Sequence, residues 1–252
     1  MIPTPPSTSS KPLSESWRWK LAALAAAAAV AIFGFVRLAE VVARGELRDF
    51  DQALLLSLRE PADPSDPIGP RWVEESMRDM TALGGLAVSS LVTAGSVAWL
   101  VISQRRVLAL YVACAVVSGI AVCLVLKSTY DRPRPQLAPH GSHVYTKSFP
   151  SGHTMTAATV YLTLAALLAR SEPRRVARVF LWTVAIGVTA MVGISRVYLA
   201  VHWPTDVAAG AALGVGWAIL SGCVALLLAR LLRRTPSTKA IAEGLEDANS
   251  PS

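Results

Sequence analysis

Six long apolar runs organise the chain, near residues 20–39, 84–103, 107–126, 154–169, 176–194 and 207–229. A helix needs about 20 apolar residues to cross a bilayer, and each run is close to that, with 154–169 the shortest. The pattern predicts an all-α integral membrane bundle of six transmembrane helices over residues 17–231, with no room for a separate soluble domain. The segment 44–83, between the first two runs, reads differently. "DFDQALLLSLRE" sets Phe50, Leu54 and Leu58 at i, i+4 and i+8, an apolar helical stripe with charges opposite. "PADPSDPIGP" breaks that stripe, and "RWVEESMRDM" resumes a helical pattern with Trp72, Ser76 and Met80 on one face. Two amphipathic helices lying in the membrane interface are the expectation, and framing an entrance for a lipid is the more specific alternative. Residues 1–16 and 232–252, rich in Pro, Ser and small residues, read as flexible tails.

Composition agrees with a membrane protein: of the 252 residues 53% are hydrophobic and only 16% charged, where soluble domains are nearer one quarter charged. The net charge of +7 would fit a nucleic-acid partner, but its placement argues against one. Lys11, Arg18 and Lys20; Arg105 and Arg106; Arg170, Arg174, Arg175 and Arg178; and Arg230, Arg233, Arg234 and Lys239 all flank span ends. If the spans alternate, these four groups share one side, which the positive-inside rule makes cytoplasmic, with both termini there. The chain is therefore expected to be multi-pass in the cell (inner) membrane. The opposite side, facing the periplasm or exterior, then holds 40–83, 127–153 and 195–206. The first run lacks a convincing small-residue cleavage site and is read as a retained span rather than a signal peptide. Cys114, Cys123 and Cys223 all fall inside spans, where a thiol acts as a small hydrophobe.

The basic residues on the outer side need another explanation, and three clusters hold them, each at a span end. In "KSTYDRPRP", Lys127 and the arginines taken alone could anchor to headgroups, but Arg134-Pro135 sits well past the span end, and Pro133 and Pro135 stop the helix. In "FPSGHTMT", Ser151 is a candidate N-cap with His153 in the first turn. The amides of Ser151, Gly152 and His153 would point at an anion, aided by the helix dipole. Glycine at 152 would let that backbone approach an oxyanion closely. In "SRVYLAVHWPTD", Ser195, Arg196, His202 and Asp206 precede the last span, with Pro204 and Asp206 suited to its first turn. A mid-membrane charge costs roughly 2.5–3.5 kcal/mol, so charges kept this close to spans need a use. Separately each cluster has a purely structural explanation. Together they bring three cations (Lys127, Arg134, Arg196), helix amides and two histidines to one side. Guanidinium forks and an ammonium suit phosphate oxygens. A histidine with a carboxylate four residues on can have its tautomer set through Nδ1, leaving Nε2 to attack, while a second histidine protonates a leaving oxygen. This is a phosphoryl-transfer site that calls for no metal and no cofactor.

K-x(6)-R-P at Lys127 to Pro135, P-S-G-H at Pro150 to His153 and S-R-x(5)-H-x(3)-D at Ser195 to Asp206 resemble the three-part signature of the type 2 phosphatidic acid phosphatase superfamily. The resemblance implies that His202 is the nucleophile, Asp206 its orienting partner and His153 the acid for the leaving group. It also implies that Lys127, Arg134, Ser151, Gly152 and Arg196 hold the phosphate. His140 and His143 lie outside the signature and are expected to be ordinary loop residues.

The sequence thus leads to a metal-independent lipid phosphatase at the outer face, acting on a phosphorylated lipid. Undecaprenyl diphosphate, phosphatidic acid and phosphatidylglycerol phosphate all suit a cationic outer pocket of this kind. A phosphotransferase passing the phosphoryl group to another lipid would look the same. A lipid or phosphate transporter would place polar residues deep within the spans, which hold few beyond Ser and Thr. Partners are the bilayer and the lipid, with no nucleic acid. The pattern leaves the oligomeric state open; Gly210, Gly214 and Gly216 could serve close packing within the bundle or between copies.

Overall fold

A computed structural model describes residues 16–137 and 147–234. The chain runs α1 (Ser16–Ala43), α2 (Arg48–Leu56), β1 (Arg59–Glu60), β2 (Asp63–Pro67), α3 (Arg71–Ala82), α4 (Leu86–Ile102), α5 (Arg106–Thr129), α6 (Gly152–Ser171), α7 (Arg175–Tyr198) and α8 (Pro204–Arg234). Five of these helices, α1 and α5 to α8, are long and apolar enough to cross a bilayer. Large apolar side chains cover the outside of the bundle, with Val30, Leu91, Val117 and Val176 each at least 65% exposed. Such a surface needs a lipid solvent.

The second expected span departs from the pattern. α4 has 17 residues, about 25 Å at 1.5 Å per residue, and becomes long enough only together with α3, across a 47° bend. The bend falls at Gly84-Gly85. A Cβ on Gly84 would lie 2.6 Å from both the His153 carbonyl oxygen and Val192 Cγ1, so only glycine lets the chain turn so close to α6 and α7.

The all-α expectation also needs amending, because residues 59–67 form a short antiparallel hairpin between α2 and α3. The two amphipathic helices of 44–83 are present, but the α2 stripe faces the other way from a core. Phe50 and Leu54 are exposed, while Asp51 and Leu55 are fully buried. α2 therefore presents its apolar stripe outward and drives a carboxylate inward. Trp72 and Met80 of α3 are likewise exposed.

Small residues set the helix spacing around α8. A Cβ on Gly210 would lie 2.5 Å from the Ser151 carbonyl, one on Gly214 2.6 Å from Ala158 Cβ, and one on Gly216 3.0 Å from Ile32. These glycines serve packing within the bundle, seating α8 against α6 and α1. One core cluster joins α1, α5, α6 and α8 through Phe35, Ala39, Cys123, Phe149, Met155, Ala209 and Leu213. Phe149 sits between Phe35 and Tyr130, at ring separations of 6.0 and 5.1 Å, and so fixes the strand of chain that enters α6. At the other end of the bundle Arg230 stacks on Trp17, 3.8 Å from the ring. Leu100, Ala109 and Val112 meet Leu164 and Leu167 there. The α4–α5 and α6–α7 junctions, with their arginines, thus lie opposite the end that carries the three clusters.

Candidate active site

Polar burial concentrates at one end of the bundle. Ser148, Ser151, Ser195, His202, Thr205 and Asp206 are each no more than 4% exposed, and Arg196 is 7% exposed. The turn that delivers His202 follows α7. Val201 N and His202 N both return to the Arg196 carbonyl, and Ala200 takes a left-handed conformation with φ of 52°. That position usually holds glycine; here Ala200 is buried beside Leu55 and Val197, and packing keeps it there. Pro204 then opens α8, with Asp206 in its first turn.

His202 is held from both ring nitrogens. Arg134 Nη1 lies 3.1 Å from Nε2. A guanidinium can only donate, so Nε2 is the acceptor and the proton resides on Nδ1. Nδ1 faces Ser148 Oγ at 3.3 Å and Asp206 Oδ2 at 3.4 Å. The Ser148 hydroxyl in turn donates to Asp206 Oδ2 at 2.5 Å. The expected direct His202–Asp206 pair is therefore long, and Ser148 sits between the two, a residue the sequence patterns did not single out. Asp206 Oδ2 also accepts from Trp203 N at 3.0 Å. Burial pushes the His202 pKa well below the ordinary histidine range, and Arg134, Arg196, Lys127 and His153 lower it further. That shift favours the neutral imidazole, whose Nε2 lone pair accepts from Arg134.

The cations lie at the same end of the bundle. Lys127 Nζ donates to the Lys147 carbonyl at 2.8 Å and Arg134 Nη2 reaches the same oxygen at 3.5 Å. Two cations thus already share one oxygen acceptor. Arg134 Nη1 also donates to the Val201 carbonyl at 2.6 Å, and burial lowers the Arg134 pKa from its ordinary value. Arg196 Nη1 donates to Thr81 Oγ1 at 2.9 Å. Its Nε is buried with no hydrogen-bond partner among the described residues. A buried guanidinium N–H is costly without an acceptor, and an anion would supply one.

The α6 entrance differs from expectation in two details. Ser151 occupies the N-cap position without a side-chain capping bond; its hydroxyl meets Thr154 Oγ1 at 3.0 Å. Its amide is also engaged, donating to the Asp206 carbonyl at 2.9 Å. Of the three amides expected to face an anion, those of Gly152 and His153 remain in the first turn, where helix amides have no intrahelical partner. A Cβ on Gly152 would lie 3.3 Å from Lys127 Cε, so glycine there makes room for the lysine. His153 sits under the α3–α4 bend, where a Cβ on Gly85 would be 3.6 Å from its Nε2.

Behind Asp206 lies a second layer that the sequence did not reveal. Arg132 Nη1 reaches Asp206 Oδ1 at 2.6 Å and Nη2 reaches Asp51 Oδ2 at 2.5 Å. Its guanidinium also lies over the Trp203 ring, 5.6 Å from the centroid. Arg59, buried in the hairpin, donates to the Tyr198 carbonyl and so ties 59–67 to the end of α7. Among the described residues no three His, Cys, Asp or Glu side chains gather where a metal ion could be held. His140 and His143 lie outside the described residues. A groove of about 560 Å³ runs beside the site, lined by Thr154, Leu162, Ile186, Val197, Val207 and Val215 among others.

Residues 108–231 match the family model of the PAP2 superfamily. A 92-residue stretch is 46% identical to phosphatidylglycerophosphatase B of Bacillus subtilis, covering 36% of this chain and 45% of that protein. A 139-residue stretch is 31% identical to the lipid A 1-phosphatase of Rhizobium johnstonii, covering 52% of each. The chain thus spans about half the length of the curated relatives it matches. The crystal structure of the transmembrane PAP2-type phosphatidylglycerolphosphate phosphatase from Bacillus subtilis superposes with a TM-score of 0.65 at 28% identity. That likeness covers 77% of this chain and 94% of the other.

Proposed function

We propose that this multi-pass membrane protein, which belongs to the PAP2 superfamily across residues 108–231, is a lipid phosphatase working through a phosphohistidine on His202. The observation that carries the reading is the buried His202 ring, its Nε2 beside Arg134 at 3.1 Å and its Nδ1 edge toward Ser148 and Asp206. A neutral imidazole aimed into a ring of cations is a nucleophile placed where a phosphate would bind.

In the first step the Nε2 lone pair forms a bond to phosphorus as the P–O bond to the leaving group breaks. His153, protonated once the negative phosphate is bound beside it, gives its proton to the departing oxygen. In the second step neutral His153 takes a proton from water, the water oxygen attacks phosphorus, and the N–P bond breaks to release phosphate. Lys127, Arg134, Arg196 and the Gly152 amide hold the equatorial oxygens, on which transition-state charge accumulates. Ser151 acts more remotely, fixing the α6 entrance to Asp206. Negative charge developing on the phosphoryl group is worth most to these cations where water is excluded.

The substrate is a lipid phosphate or diphosphate. The groove along α6, α7 and α8, apolar almost throughout, suits a hydrocarbon chain whose headgroup reaches His202. Phosphatidylglycerol phosphate leads, on the strength of the relatives' names, with phosphatidic acid and undecaprenyl diphosphate beside it. The reaction belongs on the outer face. Arginines crowd the opposite end of the bundle, and the positive-inside rule makes that end cytoplasmic. Six spans follow if the bent α3–α4 pair crosses once.

Phosphate release by detergent-purified protein in EDTA, from these three lipids and beside His202→Ala, tests the reading. Release that survives EDTA and disappears in the variant is expected. No release from any lipid by folded protein would overturn hydrolysis and turn attention to transfer onto a second lipid.

A further inference from the structure

The 44–83 segment carries a buried charge that an interfacial role does not explain. Asp51 in α2 is fully buried, and both its oxygens are engaged. Oδ2 accepts from Arg132 Nη2 at 2.5 Å and from Thr205 Oγ1 at 2.6 Å, while Oδ1 accepts from Thr205 N at 2.9 Å. The other arm of the same guanidinium, Nη1, reaches Asp206 Oδ1 at 2.6 Å and Thr205 Oγ1 at 2.8 Å. One arginine fork thus spans two buried carboxylates, and the second of these is the acid beside His202. With Oδ1 held by Arg132, Asp206 has Oδ2 left for Ser148, Trp203 N and the His202 ring.

Burying two carboxylates around a partly buried guanidinium is a poor way to gain stability. Well-packed apolar residues of similar volume commonly do as well or better. What a two-armed bridge provides is orientation, because a planar fork engaged at both ends cannot rotate. We infer that Asp51 is a positioning residue for the reaction, acting through Arg132 to hold the Asp206 carboxylate, and through it His202, in the attacking orientation. The inference rests on the phosphatase reading and adds to it. The outer helix α2 is then part of the working site, although it lies outside the matched family segment. Without the Asp51 charge, Arg132 has one carboxylate and is free to pivot, and Asp206 pivots with it. Lys127, Arg134 and Arg196 are held by other groups, the Lys147 carbonyl, the Val201 carbonyl and Thr81 Oγ1, and keep their places.

The test is steady-state hydrolysis of a detergent-dispersed lipid phosphate by the full chain. It compares wild type with Asp51→Asn, Arg132→Lys and the double variant, each checked for folding by thermal melting. Both single variants are expected to lose kcat by roughly 10- to 100-fold, the scale of a small misplacement of reacting groups, with KM unchanged. The double variant should be no worse than the poorer single one, because both break the same bridge. Arg132→Lys keeps the buried charge without the fork and decides the matter if Asp51→Asn does not fold. Wild-type kcat in a folded variant would overturn the inference, as would losses that add in the double variant or that fall on KM. Absence of release by wild-type protein would overturn the phosphatase reading and this inference with it. Normal wild-type release with unaffected variants would overturn this inference alone.

Discussion

Arg134 Nη1 sits 3.1 Å from His202 Nε2, so the nitrogen that would attack phosphorus faces a donor, and the histidine proton lies on the opposite edge. The same guanidinium sets the tautomer and, on the proposed mechanism, holds a phosphate oxygen. On the proposed mechanism, an arriving phosphate competes for Arg134 and exposes the lone pair beneath it. Each consequence of this arrangement can be measured.

Ser148 is expected to matter almost as much as the signature residues. Ser148→Ala removes the hydroxyl between His202 Nδ1 and Asp206 Oδ2, leaving a 3.4 Å separation too long for a good hydrogen bond. The variant should lose roughly 10- to 100-fold in kcat with little change in KM. Its stability should fall by about 1–3 kcal/mol, the cost of depriving a buried acceptor. Kinetics and melting on one preparation check both.

The protonation of His202 offers a second check. Its folded-state pKa lies below the ordinary value, through burial first and the surrounding cations second. The neutral ring therefore stabilises the fold fully above about pH 6.5, the ordinary histidine value. That contribution is lost as pH falls from there toward the depressed pKa. Ring resonances assigned by comparison with His202→Gln should still report neutral imidazole at pH 6.5, where a free histidine is half protonated.

Two glycines separate packing from propensity. Gly210→Ala would put a methyl 2.5 Å from the Ser151 carbonyl, and overpacking of that kind costs about 1–3 kcal/mol. It should lower the melting temperature and, by shifting the α6 entrance, the turnover. Gly187→Ala meets nothing within 4 Å and should be neutral or stabilising by up to about 1 kcal/mol from helix propensity.

Sidedness is tested with single cysteines in a background where Cys114, Cys123 and Cys223 are replaced by alanine. Ser65→Cys in the hairpin should react with a membrane-impermeant maleimide added outside intact cells. Ser171→Cys, at the arginine-rich end, should react only after lysis.

The signature residues were legible because each stands at a fixed spacing beside a span end; in the folded chain His202, Asp206 and Arg196 are buried at one end of the bundle, with Arg134 against the His202 ring and Lys127 beside Arg134 on the Lys147 carbonyl. What stayed hidden depends on pairings across the chain. Asp51 meets Thr205 over 154 positions, and in the sequence it is only a charge on the polar side of an amphipathic stripe. Arg132 stands inside "KSTYDRPRP" between two signature positions with no spacing of its own to mark it. Ser148 is a serine in a loop until it is found between His202 and Asp206. The apolar run 84–103 begins at Gly84-Gly85 and gives no sign that α3 extends it across a bend there, because hydropathy is indifferent to a bend. Contact with His153 and Val192 is what requires it.

The central claim is a covalent bond between His202 Nε2 and phosphorus. The most direct measurement is rapid-quench trapping with a lipid labelled in its terminal phosphate, followed by peptide mapping under alkaline conditions, where phosphohistidine survives. Transient label is expected on the peptide containing His202, acid-labile and absent from His202→Ala. Hydrolysis by wild-type protein with no label on that peptide at any time would contradict it, and would mean that water attacks the lipid phosphate directly.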